Sequence, residues 1–231
     1  MAVVPHVPLE AENNTRTGFT SDADLDKLRV AAKHLWLRTF VELAAMYGWR
    51  RGELLGLRVG QVDFERSTIR LDPGTTKNKE GRTAPMTPAV RTLLQECCRG
   101  KKPDAHVLTR GKPPRPVADV RCAWRNLCVS VGLGQWVCVC GHQQAKQGRC
   151  PKCKARKWEY RGLLVHDLRR TAARNLRRAH VDEHVAMKIT GHKTPSMYRR
   201  YNIVDSADTE QAVQQLLDAE AARRKAAACR Y

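Results

Sequence analysis

Four stretches of the chain gather side chains able to act on a phosphodiester: YGWRRGELLGL at 47–57, TTKNKEGRTAPM at 75–86, HDLRRTAA at 166–173 and GHKTPSMYRRY at 191–201. Breaking such a bond puts growing negative charge on the non-bridging oxygens, and guanidiniums, always protonated and fork-shaped, answer that charge. Arg50 and Arg169 suit that task. His166 and Arg169 stand three apart where the pattern predicts a helix, so they share a face and can reach one phosphate. A tyrosine with an ordinary pKa near ~10 is a poor nucleophile at neutral pH and needs cations and a proton acceptor beside it. His166 and His192 can supply these, with Tyr198 and Tyr201 as the candidate nucleophiles. The departing oxygen needs a proton, which a lysine on a hairpin can deliver; Lys77 and Lys79 both qualify. Glu53 reads as the structural partner of a nearby arginine.

A second constellation has different chemistry. Cys138-x-Cys140 and Cys150-x-x-Cys153 place two thiol pairs close together, with Gly141 after the first and Pro151 inside the second, as in zinc ribbons and knuckles. Four thiolates suit a closed, structural Zn²⁺ site that takes no part in catalysis, and a polar segment this small has too little core to fold without one. The first pair departs from the commoner two-residue spacing, so His142 could replace one thiol. Cys97, Cys98, Cys122, Cys128 and Cys229 lie in helical patterns and are expected to be packing residues.

Taken together, the four stretches resemble the boxes of the tyrosine recombinase (phage integrase) family, in the family's order over nearly all of residues 20–205. The resemblance selects Arg50 over Arg51, Lys77 over Lys79 and Tyr201 over Tyr198, and implies a catalytic set of Arg50, Lys77, His166, Arg169, His192 and Tyr201. It implies a mainly α fold with a small antiparallel β-sheet (α+β), and DNA breaking and rejoining through a 3′-phosphotyrosyl link with neither ATP nor a catalytic metal. It implies double-stranded DNA as partner and a homo-oligomeric synaptic assembly, a tetramer. A type IB topoisomerase or hairpin-forming resolvase would share much of this chemistry, and a noncatalytic DNA-binding module would share the scaffold. The family also sets a helical core-binding domain ahead of the catalytic one, which the roughly 20 residues before the first helix are too few to form.

The composition fits that partner. Lys and Arg number 42 against 23 Asp and Glu, a net charge of +19, with 42% apolar residues. This is a folded basic protein, for which a polyanion is the natural ligand. The absence of an apolar run of spanning length favours nucleic acid over a bilayer, and the N-terminus lacks a secretory pattern, so a cytoplasmic, nucleoid-associated protein is expected, a nuclear one not being excluded.

These residues need elements to hold them. Residues 1–19 read as a flexible leader, 20–205 as the catalytic domain and 206–231 as a C-terminal helix and tail. Periodicity predicts one or two helices over 22–47, a helical turn or two at Glu53–Leu57, and helices from Pro88 to about Arg99, from about Val117 to Val131, near 166–180, 182–190 and 206–228. Alternation predicts short strands at 62–64, 68–71 and 83–86 around the turn at 78–81, and 103–116 reads as a connector. The segment 136–161 interrupts the helical pattern as a zinc-ribbon-like insert, with seven bases against one acid. On the last helix Val213, Leu216, Leu217 and Ala221 make an apolar stripe that would dock either on its own core or on a neighbouring protomer.

Overall fold

The computed structural model describes residues 18–74, 81–200 and 206–228. Helix α1 (Asp22–Ala31) starts where Ser21 accepts the Asp24 N–H at 3.1 Å, with Asp22 and Asp24 in the first turn against the positive end of the helix dipole. Helix α2 (Leu35–Tyr47) is apolar almost all round and forms the hub, packed against α1, the short α3 (Arg51–Gly56), α4 (Pro88–Cys98) and α6 (Val165–Arg178). Phe40, Val41 and Leu43 are completely buried on it. Its one acid, Glu42, is buried because Arg29 holds it at 2.7 Å.

A three-stranded antiparallel sheet of β1 (Val62–Asp63), β2 (Thr68–Leu71) and β3 (Arg82–Pro85) follows α3, with Ile69 paired to Ala84 and Leu71 to Arg82. Ile69, Leu71 and Ala84 turn into the core while Arg70 faces out, as strand alternation requires. Helix α4 begins at Thr87, whose hydroxyl accepts the Val90 N–H, followed by Pro88 in the first turn. The 103–116 stretch is more than a connector: β4 (Thr109–Arg110) and β5 (Arg115–Pro116) pair antiparallel there. Helix α5 (Arg121–Ser130) starts four residues after the expected Val117, because the Val117 N–H is committed to Leu108 O and the Asp119 carboxylate instead caps the Arg121 N–H at 3.0 Å.

The cysteine segment is built on β6 (Gly134–Cys138), flanked by β7 (Gln143–Gln144) and β8 (Trp158–Gly162), all antiparallel. Its sheet therefore begins two residues before the change in composition. Leu163 and Leu164 alone separate β8 from α6. At that joint the Leu163 carbonyl accepts from Trp124 Nε1 at 2.8 Å and Tyr160 OH at 3.0 Å, tying the root of the ribbon to α5.

Helix α6 carries the HDLRR stretch, and its middle and later turns are braced by Phe19, which the leader reading had set apart, and by Thr20. Phe19 lies under the Arg174 guanidinium at 5.0 Å, and Thr20 exchanges hydrogen bonds with Thr171 and Arg174. The ordered body thus includes Phe19. After α6 come α7 (Glu183–Thr190) and α8 (Pro195–Arg199), which close a small second core of Ala173, Ala186 and Tyr198. Helix α8 had no counterpart in the periodicity, although Thr194 and Pro195 make a plain start signal; the Thr194 hydroxyl accepts the Met197 N–H. The chain ends in α9 (Ser206–Ala228), where Val213, Leu216 and Leu217 are all more than half exposed.

Candidate active site and metal centre

The α2–α3 corner sets the first arginine. Gly48 ends α2 with φ +62°, and a Cβ there would stand 3.0 Å from Ala172 Cβ, so this glycine lets the corner lie directly on α6. Two residues on, Glu53 accepts the Arg50 backbone N–H at 2.9 Å and the Arg50 guanidinium at 3.1 Å, fixing both main chain and side chain. Helix α6 is started in the same manner: Asp167 accepts the Leu164 N–H at 2.8 Å, which places His166 in the first turn and Arg169 one turn inward. Arg169 is buried and donates to the carbonyls of Gly48 and Thr190, so one guanidinium joins the ends of α2 and α7. His192 follows Gly191, the left-handed C-cap of α7, whose carbonyl receives Arg50 at 3.5 Å.

Arg50, His166 and Arg169 line one cavity of about 320 Å³ with Trp49, Trp124, Leu164 and Val165 beneath them. His192 joins the group from α7, and its pKa is brought down to about 3 by burial and by the charges of Arg169, Arg50, His166 and Arg82. Burial, then Arg169 and Arg170, lowers His166 as well. Both shifts favour the neutral imidazole near pH 7, a form able to accept a proton. The Thr190 hydroxyl donates to Ala186 O at 2.8 Å and lies 2.7 Å from His192 Nδ1, so it accepts from that nitrogen and assigns the lone pair to Nε2.

Arg82, absent from the sequence-derived set, belongs here. Its guanidinium is buried against the Glu53 carboxylate, stacks at 5.6 Å over Trp49 and occupies the space in which a Gly191 side chain would have to lie. Burial lowers its pKa, Glu53 opposing that shift. The reach from β3 to α3 and α7 is a tertiary fact without a local signature. What could have pointed to it is its place in the same TTKNKEGRTAPM stretch as Lys77. Lys77 and Tyr201 lie outside the described residues. Tyr198, the rival nucleophile, is buried, donates its hydroxyl to Ala173 O at 3.1 Å and stands edge-on to His192. Burial also raises its pKa, which makes its phenolate scarcer at neutral pH.

In the ribbon, the sulfurs of Cys138, Cys140, Cys150 and Cys153 all lie within 4.8 Å of one another, with Cys138 to Cys153 at 3.4 Å and Cys140 to Cys150 at 3.7 Å. A tetrahedral thiolate site with metal–sulfur bonds of about 2.3 Å has sulfur–sulfur edges of about 3.8 Å, so the donor set fits zinc. Burial would raise the Cys150 thiol, but the Cys153 and Lys152 N–H groups and the neighbouring thiols outweigh it and bring it down to about 6. His142 turns away to pack edge-on with Trp158 and is outside the cluster. Of the cysteines assigned to packing, Cys97, Cys98 and Cys128 are buried; Cys122 is exposed, being on the outer face of α5, and Cys229 lies outside the described residues.

Arginines and histidines drawn from separate elements thus gather at one place on a mainly helical scaffold. The family model for phage integrases matches residues 20–208, and the chain belongs to the phage integrase family. Its fold is that of solved recombinase catalytic domains. The XerA recombinase superposes with a TM-score of 0.65 at 19% identity over 92% of this chain and 66% of its own. The catalytic domain of bacteriophage HP1 integrase gives 0.53 at 22%, over 85% of this chain and 93% of that one. A lambda integrase dimer bound to a core site gives 0.56 at 18%, over 80% and 47%. This chain thus spans about two thirds of XerA and under half of the lambda chain. No curated protein is close enough in sequence to count as a relative. Among the described residues, no helix is long and apolar enough to cross a membrane.

Proposed function

We propose that this chain is a tyrosine-type site-specific DNA recombinase, acting on double-stranded DNA in the cytoplasm. The observation that carries the reading is the convergence of Arg50, Arg169, His166 and His192, with Glu53 holding the first arginine and Arg82 holding Glu53, in a member of the phage integrase family. The guanidiniums of Arg50 and Arg169 take the non-bridging oxygens of the scissile phosphate and the charge that grows on them. Tyr201, next in sequence after Arg200, attacks the phosphorus; its proton passes to a neutral imidazole, for which His192 Nε2 has the required lone pair. The bond to the 5′ oxygen breaks, Lys77 supplies its proton, and a 3′-phosphotyrosyl link remains. A 5′ hydroxyl from the partner strand reverses these steps. The ester energy is kept in the covalent link, so the chemistry needs no nucleotide.

The four ribbon cysteines would hold one Zn²⁺ as a structural ion remote from these steps; its contribution is to fold the segment. The synaptic partner is further copies of this chain, in the family's manner a tetramer. The half-exposed Val213, Leu216 and Leu217 of α9 support protein–protein docking, since the helix leaves them uncovered in the single chain. A suicide substrate, nicked so that the cleaved strand's short end diffuses away, tests the reading. The chain should form a covalent adduct with it, Tyr201→Phe should form none while binding DNA with nearly unchanged affinity, and Tyr198→Phe should still react. Adducts made by Tyr201→Phe and lost in Tyr198→Phe would reverse the assignment of the nucleophile.

A further inference from the structure

We infer that the cysteine ribbon is a second phosphate-binding arm, continuous with the catalytic cavity, that grips the sugar–phosphate backbone of DNA beside the reacting phosphate. The inference builds on the proposed function, and its first support is a charge imbalance with no internal answer. Lys146, Arg149, Lys152, Lys154, Arg156, Lys157 and Arg161 carry the positive charge of the segment, and Glu159 is its one acid. Glu159 pairs with Arg161 at 3.3 Å, and Lys154 donates to the Pro151 carbonyl. Lys146, Arg149, Lys152, Arg156 and Lys157 form no ion pair among the described residues. A thiolate-bound zinc would add about −2, which still leaves a surplus of about four positive charges on the insert. Like charges crowded on so small a unit repel one another, and a polyanion relieves the repulsion.

Continuity is the second support. The Arg125 guanidinium lies 5.7 Å over Trp136 and 5.5 Å over Tyr160, the aromatic pair at the ribbon's root. Arg125 and Arg121 then line the same cavity as Arg50, Arg51, His166 and Arg169, and no acid lines it. Asp119 at the rim pairs with Arg51 and Arg121 but leaves Arg125 to face the cavity. Cationic groups thus run from the catalytic arginines across α5 to the root of the ribbon. The third support is that the arm is held in register: the Leu163 carbonyl, which accepts from Trp124, Tyr160 and the Cys128 thiol, and the two-residue step into α6 fix the ribbon's root relative to His166 and Arg169. An arm so mounted would meet the strand where it leaves the active site.

The test uses the full, metal-loaded chain and a duplex of arbitrary sequence, with affinity read by fluorescence anisotropy over a salt series. Every phosphate that the protein ceases to neutralise takes about 0.9 off the slope of log K against log salt. The variant Lys152→Gln/Lys154→Gln/Arg156→Gln/Lys157→Gln should retain its metal, bind more weakly and lower the slope by about 2–4. An unchanged slope with the metal retained overturns the inference and leaves the ribbon as a protein-docking or solvated element. If the quadruple variant loses its metal, the single changes Lys152→Gln and Lys157→Gln are read instead, each expected to remove up to about 0.9, with two unchanged slopes again overturning it. Because binding is measured without cleavage, failure of the wild-type chain to form a covalent adduct would strike the proposed activity and leave this measurement standing.

Discussion

Glu53 answers two guanidiniums, Arg50 from its own helix and Arg82 from the hairpin, and is itself almost wholly buried. Arg82→Met leaves that carboxylate with Arg50 alone and opens the space over Trp49, so it should lower stability by about 2–3 kcal/mol in urea unfolding, the cost of one charge-assisted hydrogen bond lost inside the protein. In whatever fraction stays folded, adduct formation should fall more than DNA affinity, because Arg50 loses its fixed geometry while the surface cations remain. His192 carries a pH signature. Its pKa lies near 3 in the folded chain and near 6.5 when unfolded, so between those values the unfolded chain binds the extra proton. The contribution is complete above the unfolded value and is lost as pH falls towards 3. Stability measured by urea midpoint should therefore drop through that window, and His192→Asn, which cannot take the proton, should show a shallower acid limb. That Arg50, His166, Arg169 and His192 would come together could be anticipated from the resemblance of four short stretches to the family's boxes, and the structure does gather these four side chains. Arg82 could not be anticipated, since its importance arises only when strands and helices distant in sequence meet.

At the scale of elements, corners decide more than helix interiors. Gly48→Ala forces a β-carbon into a left-handed position 3.0 Å from Ala172 Cβ. It should cost about 1–3 kcal/mol, seen as a lower melting temperature, and should disturb Arg50 with it. Most helices and the three central strands could be read from apolar period and start signals, within a few residues. Where that reading failed, a side chain or a distant carbonyl had taken a backbone group: Leu108 O holds Val117 out of α5, and Asp119 moves the helix start to Arg121. The β4–β5 hairpin escaped notice because its strands are two residues each, too short for alternation to register. Cys122 escaped for a different reason. A cysteine has no polarity that distinguishes the outer from the inner face of α5.

For the whole molecule, the exposed apolar residues of α9 allow folding and the proposed assembly to be tested apart. Removal of 206–231 should leave a folded body whose thermal transition is nearly unchanged, with helical circular dichroism reduced only by the missing helix. Single-site cleavage should survive in part while paired-site complexes fail in gel filtration. A collapse of the truncated chain would instead mean that α9 supports its own core. The step from β8 to α6 has a mechanical meaning. Two leucines, anchored through one carbonyl, form a stiff coupling, so the ribbon behaves as the long arm of a lever whose fulcrum is Leu163 and whose short end carries His166. A displacement imposed on the ribbon's basic tip would therefore be passed to the first turn of α6, where His166 stands.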